Sequence, residues 1–233
     1  MKNLQFFVIC VVAVLVCHPA LGSVIYSNDF QNTSDPLTQW SNKSTDTTPG
    51  SISHPSDRFL GQFGNGTTSL ILNNLPSHSV IAVSFDLYII RTWDGSNWGD
   101  IWEINVEGGD VLLHTTFSHS GLNSQNMFGQ SYPGSYPEDT YPWGTGAIET
   151  DTLGYLYGDK PCDSVYRFPN QYYDFTFGHS ADSVQINFSA SNLQVLSDES
   201  WGLDNVTVTP EPATLLLVGL GGLGLLRRKR SKA

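Results

Sequence analysis

A chain of 233 residues with 22 acidic and 11 basic side chains carries a formal charge of −11, and such acidity argues against nucleic acid and anionic lipid as partners. The basic residues gather at the two ends. Between them stand only Lys43, Arg58, Arg91, Lys160 and Arg167, and Cys162 is the only cysteine beyond residue 22, which excludes an internal disulfide framework.

Taken in chain order, Met1-Lys2 opens a run from residue 4 to 16 that is apolar apart from Gln5, and Ala20-Leu21-Gly22 places small residues before a cut at Ser23. Residues 1–22 read as a secretory signal peptide. Cys17 does not make a lipoprotein signal, because Val16 stands where a small residue is needed.

Residues 23–208 form one body, long enough for a single domain with a sizeable core. It is rich in Ser, Thr, Gly, Asn and aromatic residues and shows no long helical periodicity. Strands are predicted at 24–26, at 69–75 after the turn Gly64-Asn-Gly66, and at 79–90, where Val83, Phe85, Leu87 and Ile89 share one face. The connection Trp93-Asp-Gly-Ser-Asn-Trp-Gly-Asp100 follows. Its Asp-Gly is a hairpin-turn signal. Alternatively, Asp94, Asn97 and Asp100 converge on a cation while Trp93 and Trp98 stack on sugar rings, the mix of apolar faces and short polar groups that ligand clefts use.

Residues 101–106 and 111–117 flank Glu107-Gly-Gly-Asp110 as a hairpin. Residues 121–160 are a long Pro/Tyr/Gly-rich loop whose aromatics argue for ordered packing and whose tyrosines are further contact candidates. Four more strands are predicted at 165–168, 172–177, 183–190 and 203–209. Many short strands with turns between them make an antiparallel β-sandwich. His114 and His119 are separated by an odd step, so they point to opposite faces and cannot share a metal unless the strand ends between them. Trp201 is expected to plug the core, and Cys162 to be buried and inert.

Two short resemblances bear on the body. Ser27-Asn28-Asp29-Phe30 near its start and Asp198-Glu199 to Asp204-Asn205-Val206 near its end resemble jelly-roll carbohydrate-binding modules. That resemblance implies one Ca²⁺ held by Asp29 and Asp204, with Glu199 or Asn28 assisting. Hard oxygens from the first and last strands suit that ion, although the same residues also serve as turn and sheet-edge caps. Glu103-Ile-Asn-Val-Glu107 resembles the Glu-x-Asp-x-Glu strand of laminarinase-like retaining glycosidases, which would make Glu103 and Glu107 an acid and a nucleophile. The central Asp is Asn105 here, and the same alternation fits any half-exposed strand.

Residues 209–233 close the chain with Pro210-Glu211-Pro212, an apolar Gly/Leu run at 213–226, and a basic cluster within 227–232 that contains Arg227, Arg228, Lys229 and Arg230. The three parts together resemble the PEP-CTERM tail of bacterial surface proteins processed by exosortase. The apolar run spans roughly 21 Å as a helix, short of a hydrocarbon core of about 30 Å, which suits removal better than permanent anchoring. The basic cluster puts the end on the cytoplasmic side. The combined expectation is an exported, non-catalytic jelly-roll protein of the cell surface or matrix. Its expected partners are an exosortase-type protease, the membrane before processing, and extracellular polysaccharide or other envelope components. The alternative is a β-sandwich glycosidase.

Overall fold

The computed structural model describes residues 22–119, 129–138 and 140–211. The signal-peptide expectation (residues 1–22) falls almost wholly outside them. So do the apolar run at 213–226, the cluster Arg227, Arg228, Lys229 and Arg230, and part of the long loop. Among the described residues no helix is long and apolar enough to cross a membrane.

The strands in chain order are β1 (Tyr26–Asn28), β2 (Thr45–Thr47), β3 (Arg58–Phe63), β4 (Gly66–Asn73), β5 (Val80–Arg91), β6 (Ile101–Val106), β7 (Val111–Thr116), β8 (Glu149–Thr150), β9 (Leu156–Tyr157), β10 (Lys160–Pro161), β11 (Asp163–Phe168), β12 (Phe175–Gly178), β13 (Ser183–Ser191) and β14 (Glu199–Glu211). A single 3₁₀ turn, Gly95–Asn97, interrupts the β5–β6 connection.

Every strand pairing among the described residues is antiparallel, and β9 and β10 form a small separate ribbon. The large sheet runs β2-β3-β14-β5-β11-β8, with β1 extending β3 along the outer side of β14 and β12 extending β11 along β5. Its spine is the β5–β14 pair, in register from Glu199↔Arg91 to Glu211↔Val80 with a bulge between Asp204 and Thr207. The small sheet runs β4-β13-β6-β7. This is the antiparallel sandwich that the alternation of β5, β6 and β13 predicts.

The two sheets bury their aromatic faces against each other. Phe85 of β5 meets Trp102 of β6 at 5.9 Å and Phe188 of β13 at 5.3 Å, and Trp102 meets Trp201 of β14 at 6.2 Å. All four side chains are buried, and each such burial contributes on the order of 1.5–3 kcal/mol. Trp201 is the core plug its neighbours implied. A second, smaller apolar cluster lies on the outer side of the large sheet, where Phe59, Tyr88, Ile90, Leu153, Tyr155 and Val165 pack together. β5 and β11 are therefore apolar on both faces over part of their length.

The long loop is ordered where it is described. Gln130 is fully buried and acts as its hub, donating to the carbonyls of Tyr132 and Thr145 and accepting from Gly144 N–H and Tyr166 O–H. Tyr132 enters the core against Phe117 and Tyr166, so it cannot be a surface contact. Tyr136 is half-buried, and its N–H donates to the His114 carbonyl at the open edge of β7.

Candidate functional site

The segment from Trp93 to Asp100 does not turn a hairpin. β5 belongs to the large sheet and β6 to the small one, so this connection carries the chain across one end of the sandwich. Gly95 has φ +66° and lies so close to the Gly129 carbonyl that a Cβ would collide with it. Glycine is required at that tight approach.

Crossing the end in this way brings three acids together. Ligand oxygens of Asp94, Asp100 and Glu199 all lie within 4.8 Å of one another. Asp100 leads into β6 of the small sheet, and Glu199 is the first residue of β14 in the large one. Glu199 and Asp100 are buried and Asp94 is half-buried. The Gln194 N–H donates to Glu199 Oε2 at 2.5 Å, while Glu199 Oε1 is buried without a hydrogen-bond partner. The Asp94 N–H donates to Asp100 Oδ2, and the Gln194 side-chain amide donates to Asp94 Oδ2 at 3.1 Å.

Burial, followed by repulsion from Asp100 and Asp94, pushes the Glu199 carboxyl up to about 8, and burial pushes Asp100 up to about 6. Asp94 is also raised, first by burial and then by Asp198. No Lys or Arg ion-pairs with the three among the described residues. Clustered buried carboxylates are costly unless a proton or a cation is shared between them. The donor set is oxygen only, and it can hold a metal ion.

Of the sequence-predicted ligand residues in this segment, Trp93 is fully buried, with its indole N–H donating to the Ser200 carbonyl at 2.9 Å, and offers no face to a ligand. Trp98 is 70% exposed. Asn97 is exposed at the loop tip, outside the three-acid cluster.

The other expected calcium residues separate. Glu199 and Asp204 lie five positions apart on β14, roughly 16 Å in an extended strand and on opposite faces of it. Glu199 therefore cannot assist Asp204. The Asn28 side chain caps Phe30 N–H and donates to Asp35, and the Asp29 carboxylate caps Gln31 N–H. Asp204 is buried, with Oδ2 accepting from Tyr88 O–H and Asn205, and Oδ1 unpartnered. Burial and then the neighbouring Asp57 carboxyl push Asp204 up to about 7.

Beside this pair, the Gln31 side-chain nitrogen is approached by three oxygens: the Asp29 carbonyl at 2.8 Å, Asp57 Oδ1 at 2.5 Å and the Arg58 carbonyl at 2.7 Å. An amide carries two hydrogens, so the three acceptors exceed what it can supply. At the first and last strands the structure thus groups Asp57, Asp204 and the Asp29 carbonyl, where the sequence offered the Asp29 carboxylate and Asn28. Asp57 was not legible as a participant.

Glu103 and Glu107 lie on the open outer face of the small sheet and its hairpin. Glu103 accepts from Asn105 and lies 2.7 Å from His114 Nδ1, while Glu107 accepts from Asn187, which also donates to Asn105. This ladder of amides ties both carboxylates into the sheet surface. β7 ends at Thr116, between the two histidines, so strand parity does not relate them. His119 is buried with Nδ1 3.2 Å from the sulfur of buried Cys162, while His114 is half-exposed beside Glu103.

Pro210 and Glu211, the head of the tail, are the last residues of β14 and pair with Ile81 and Val80; Pro212 lies just beyond the described residues. Residues 208–230 match the PEP-CTERM protein-sorting motif. No curated protein matches the chain significantly. Among solved structures, the chain is similar to a cleaved adhesin domain of Lys-gingipain from Porphyromonas gingivalis, at 11% identity and a TM-score of 0.35 over 80% of this chain and 99% of that one. The chain thus carries a sorting motif of the exosortase type, which marks it for export and surface sorting, on an antiparallel β-sandwich body.

Proposed function

We propose that this is a non-catalytic protein of the cell surface or extracellular matrix whose sandwich is locked by Ca²⁺ and holds extracellular polysaccharide. In this reading residues 1–22 direct export, residues 23–208 form the jelly-roll-type domain, and residues 209–233 engage an exosortase-type protease and are trimmed after a transient membrane stage. The observation that carries it is the cluster of Asp94, Asp100 and Glu199 between the two sheets. Its all-oxygen donors favour a hard cation over the softer metals that seek nitrogen or sulfur. Calcium sites of extracellular modules bind in the range of about 10⁻⁴–10⁻³ M, an affinity that three carboxylates with no further charge can supply. The Asp57–Asp204 pair beside the Asp29 carbonyl is a second candidate for the same ion. A non-catalytic role is supported by the engagement of Glu103 and Glu107 with the amides of Asn105 and Asn187 on an open sheet face.

Calorimetric titration of the folded body with CaCl₂ at neutral pH tests the cation. Wild type takes up Ca²⁺, and Glu199→Gln loses one binding event while keeping the shape of the side chain. Unchanged stoichiometry in the variant would place the ion elsewhere. For the polysaccharide, Trp98→Ala is expected to reduce retention on an extracellular-polysaccharide column by several-fold. Its thermal midpoint should hardly move, because the ring is largely in solvent and surface changes stay within about 0.5 kcal/mol. Equal retention of the two proteins would remove Trp98 from the contact.

A further inference from the structure

Beside the three-acid cluster, on the outer side of the large sheet, lies a groove of about 610 Å³ lined by Asp46, Gln62, Arg91, Val195 and Leu196 among others. Its volume falls in the ordinary range of ligand sites. Arg91 closes β5 at φ +68°, a left-handed conformation that costs a side-chain-bearing residue about 1–2 kcal/mol. Glycine would occupy it without strain, yet the position carries a guanidinium.

That guanidinium lies 5.1 Å from the centre of the Tyr155 ring, and its Nη1 donates to Gln62 Oε1 at 2.9 Å. Gln62 is itself fixed, accepting from Ser200 O–H and donating to Asp46 Oδ2 and to the Tyr155 hydroxyl oxygen. Arg91 forms no ion pair with a carboxylate among the described residues, in a chain with twice as many acids as bases. Across the groove Val195 and Leu196 hold large apolar side chains in solvent, 67% and 49% exposed. The groove therefore combines one cation on an aromatic support, fixed hydrogen-bonding groups in Gln62 and Asp46, and an apolar wall.

From this arrangement we infer that the groove is a subsite for a sugar ring bearing an oxyanion, a uronate carboxylate or a sulfate, with Arg91 as its charge partner. The inference rests on the polysaccharide reading above and names the class of sugar. Guanidinium pairs with planar oxyanions in two parallel hydrogen bonds. Asp46 takes a hydroxyl, Gln62 holds Asp46 and Arg91 in place, and Val195 and Leu196 cover the C–H face. The acidity of the body opposes an approaching anion at long range, and the Asp46 carboxylate opposes it inside the groove. The oxyanion therefore pairs with guanidinium nitrogens other than the Nη1 that Gln62 holds. At ordinary ionic strength the long-range repulsion fades over about 8–10 Å, whereas a contact inside the groove is screened far less. The wall is tied to the neighbouring acid cluster, since Glu199 N–H donates to the Val195 carbonyl and Gln194 N–H to the Glu199 carboxylate.

The test is calorimetry of the folded body, at fixed CaCl₂ and 0.15 M salt, with oligogalacturonate, a sulfated oligogalactan and the matching neutral oligogalactan. The expected result is that at least one acidic oligosaccharide binds better than the neutral one and that Arg91→Gln weakens this preference at least about tenfold, the scale of a lost charge-assisted contact. Which acidic oligosaccharide responds identifies the anion. The variant should keep its thermal midpoint within a few degrees and its response to Ca²⁺. Competition on wild type alone supplies a second reading, with free galacturonate or galactose sulfate displacing the bound oligosaccharide and galactose failing to do so. Equal binding of acidic and neutral forms, unaltered by Arg91→Gln, would overturn the subsite and leave polysaccharide binding intact. Binding of none of the three would overturn both.

Discussion

Chelation with EDTA at pH 8 is expected to lower the thermal midpoint of the folded body by about 5–11 °C relative to saturating Ca²⁺, and to have a much smaller effect at pH 5. A ligand present at a hundred times its dissociation constant contributes about 2.7 kcal/mol, and each kcal/mol moves a domain of this size by about 2–4 °C. The dependence on pH follows from the carboxyls. Glu199 rises from 4.5 to about 8 in the folded state and Asp100 from 3.8 to about 6. Without metal the folded protein retains protons that the unfolded chain releases, so its stability falls as pH rises from about 4 to 8. Asp204, raised to about 7 by burial and Asp57, adds to the same slope. Calcium replaces those protons, and its advantage therefore grows over the same interval. Glu199→Gln should flatten part of the metal-free slope and most of the response to Ca²⁺. An EDTA effect of equal size at both pH values would separate the ion from these carboxyls.

The core makes a second large prediction. Trp102→Ala should cost about 3–5 kcal/mol, the usual range for emptying a buried aromatic site, and lower the midpoint by about 6–20 °C. The ring is fully buried and touches Phe85, Phe117, Phe188 and Trp201, so the cavity cannot collapse without disturbing both sheets. Trp102→Phe should cost far less. It gives up some ring volume but also removes an indole N–H that is buried without an acceptor, and such an orphan donor carries its own penalty of about 1–3 kcal/mol. Both variants remove that N–H, so the difference between their melts reports ring packing alone. Equal losses would mean that filling the site with an aromatic ring does not carry the stability.

The sandwich was legible because β6 and β13 alternate cleanly, β5 does so in its first half, and Glu107-Gly-Gly-Asp110 supplies a turn with Gly108 at φ +68°. β3 was not legible. Phe59 packs on Tyr88 on the outer side while Leu60 faces the inner core, and a strand buried on both faces loses its period of two. Trp93 looks like a ligand ring because it stands in a connection rich in short polar residues, yet it keeps to the core side that Val83, Phe85, Leu87 and Ile89 occupy. The acid cluster was half visible. Asp94 and Asp100 share one loop, but Glu199 reaches them only because β14 lies beside β5 and the connection after β5 changes sheets. Nothing in local sequence encodes that meeting, and the resemblance groups Glu199 with Asp204, which lies on the other face of the strand. Gln31 and Asp57 escaped for the same reason, since β1 and β3 become neighbours only by lining up along β14.

β14 begins at the acid cluster and ends inside the sorting motif, with Pro210 and Glu211 still in register against β5 and the Glu211 carbonyl accepting from Ser79 N–H. The first residues of the tail, up to Glu211, are thus part of the sheet, and twelve steps of about 3.3 Å along β14 set the acid cluster roughly 40 Å from Glu211. The start of the sorting motif and the Arg91 groove therefore sit at opposite ends of one continuous strand.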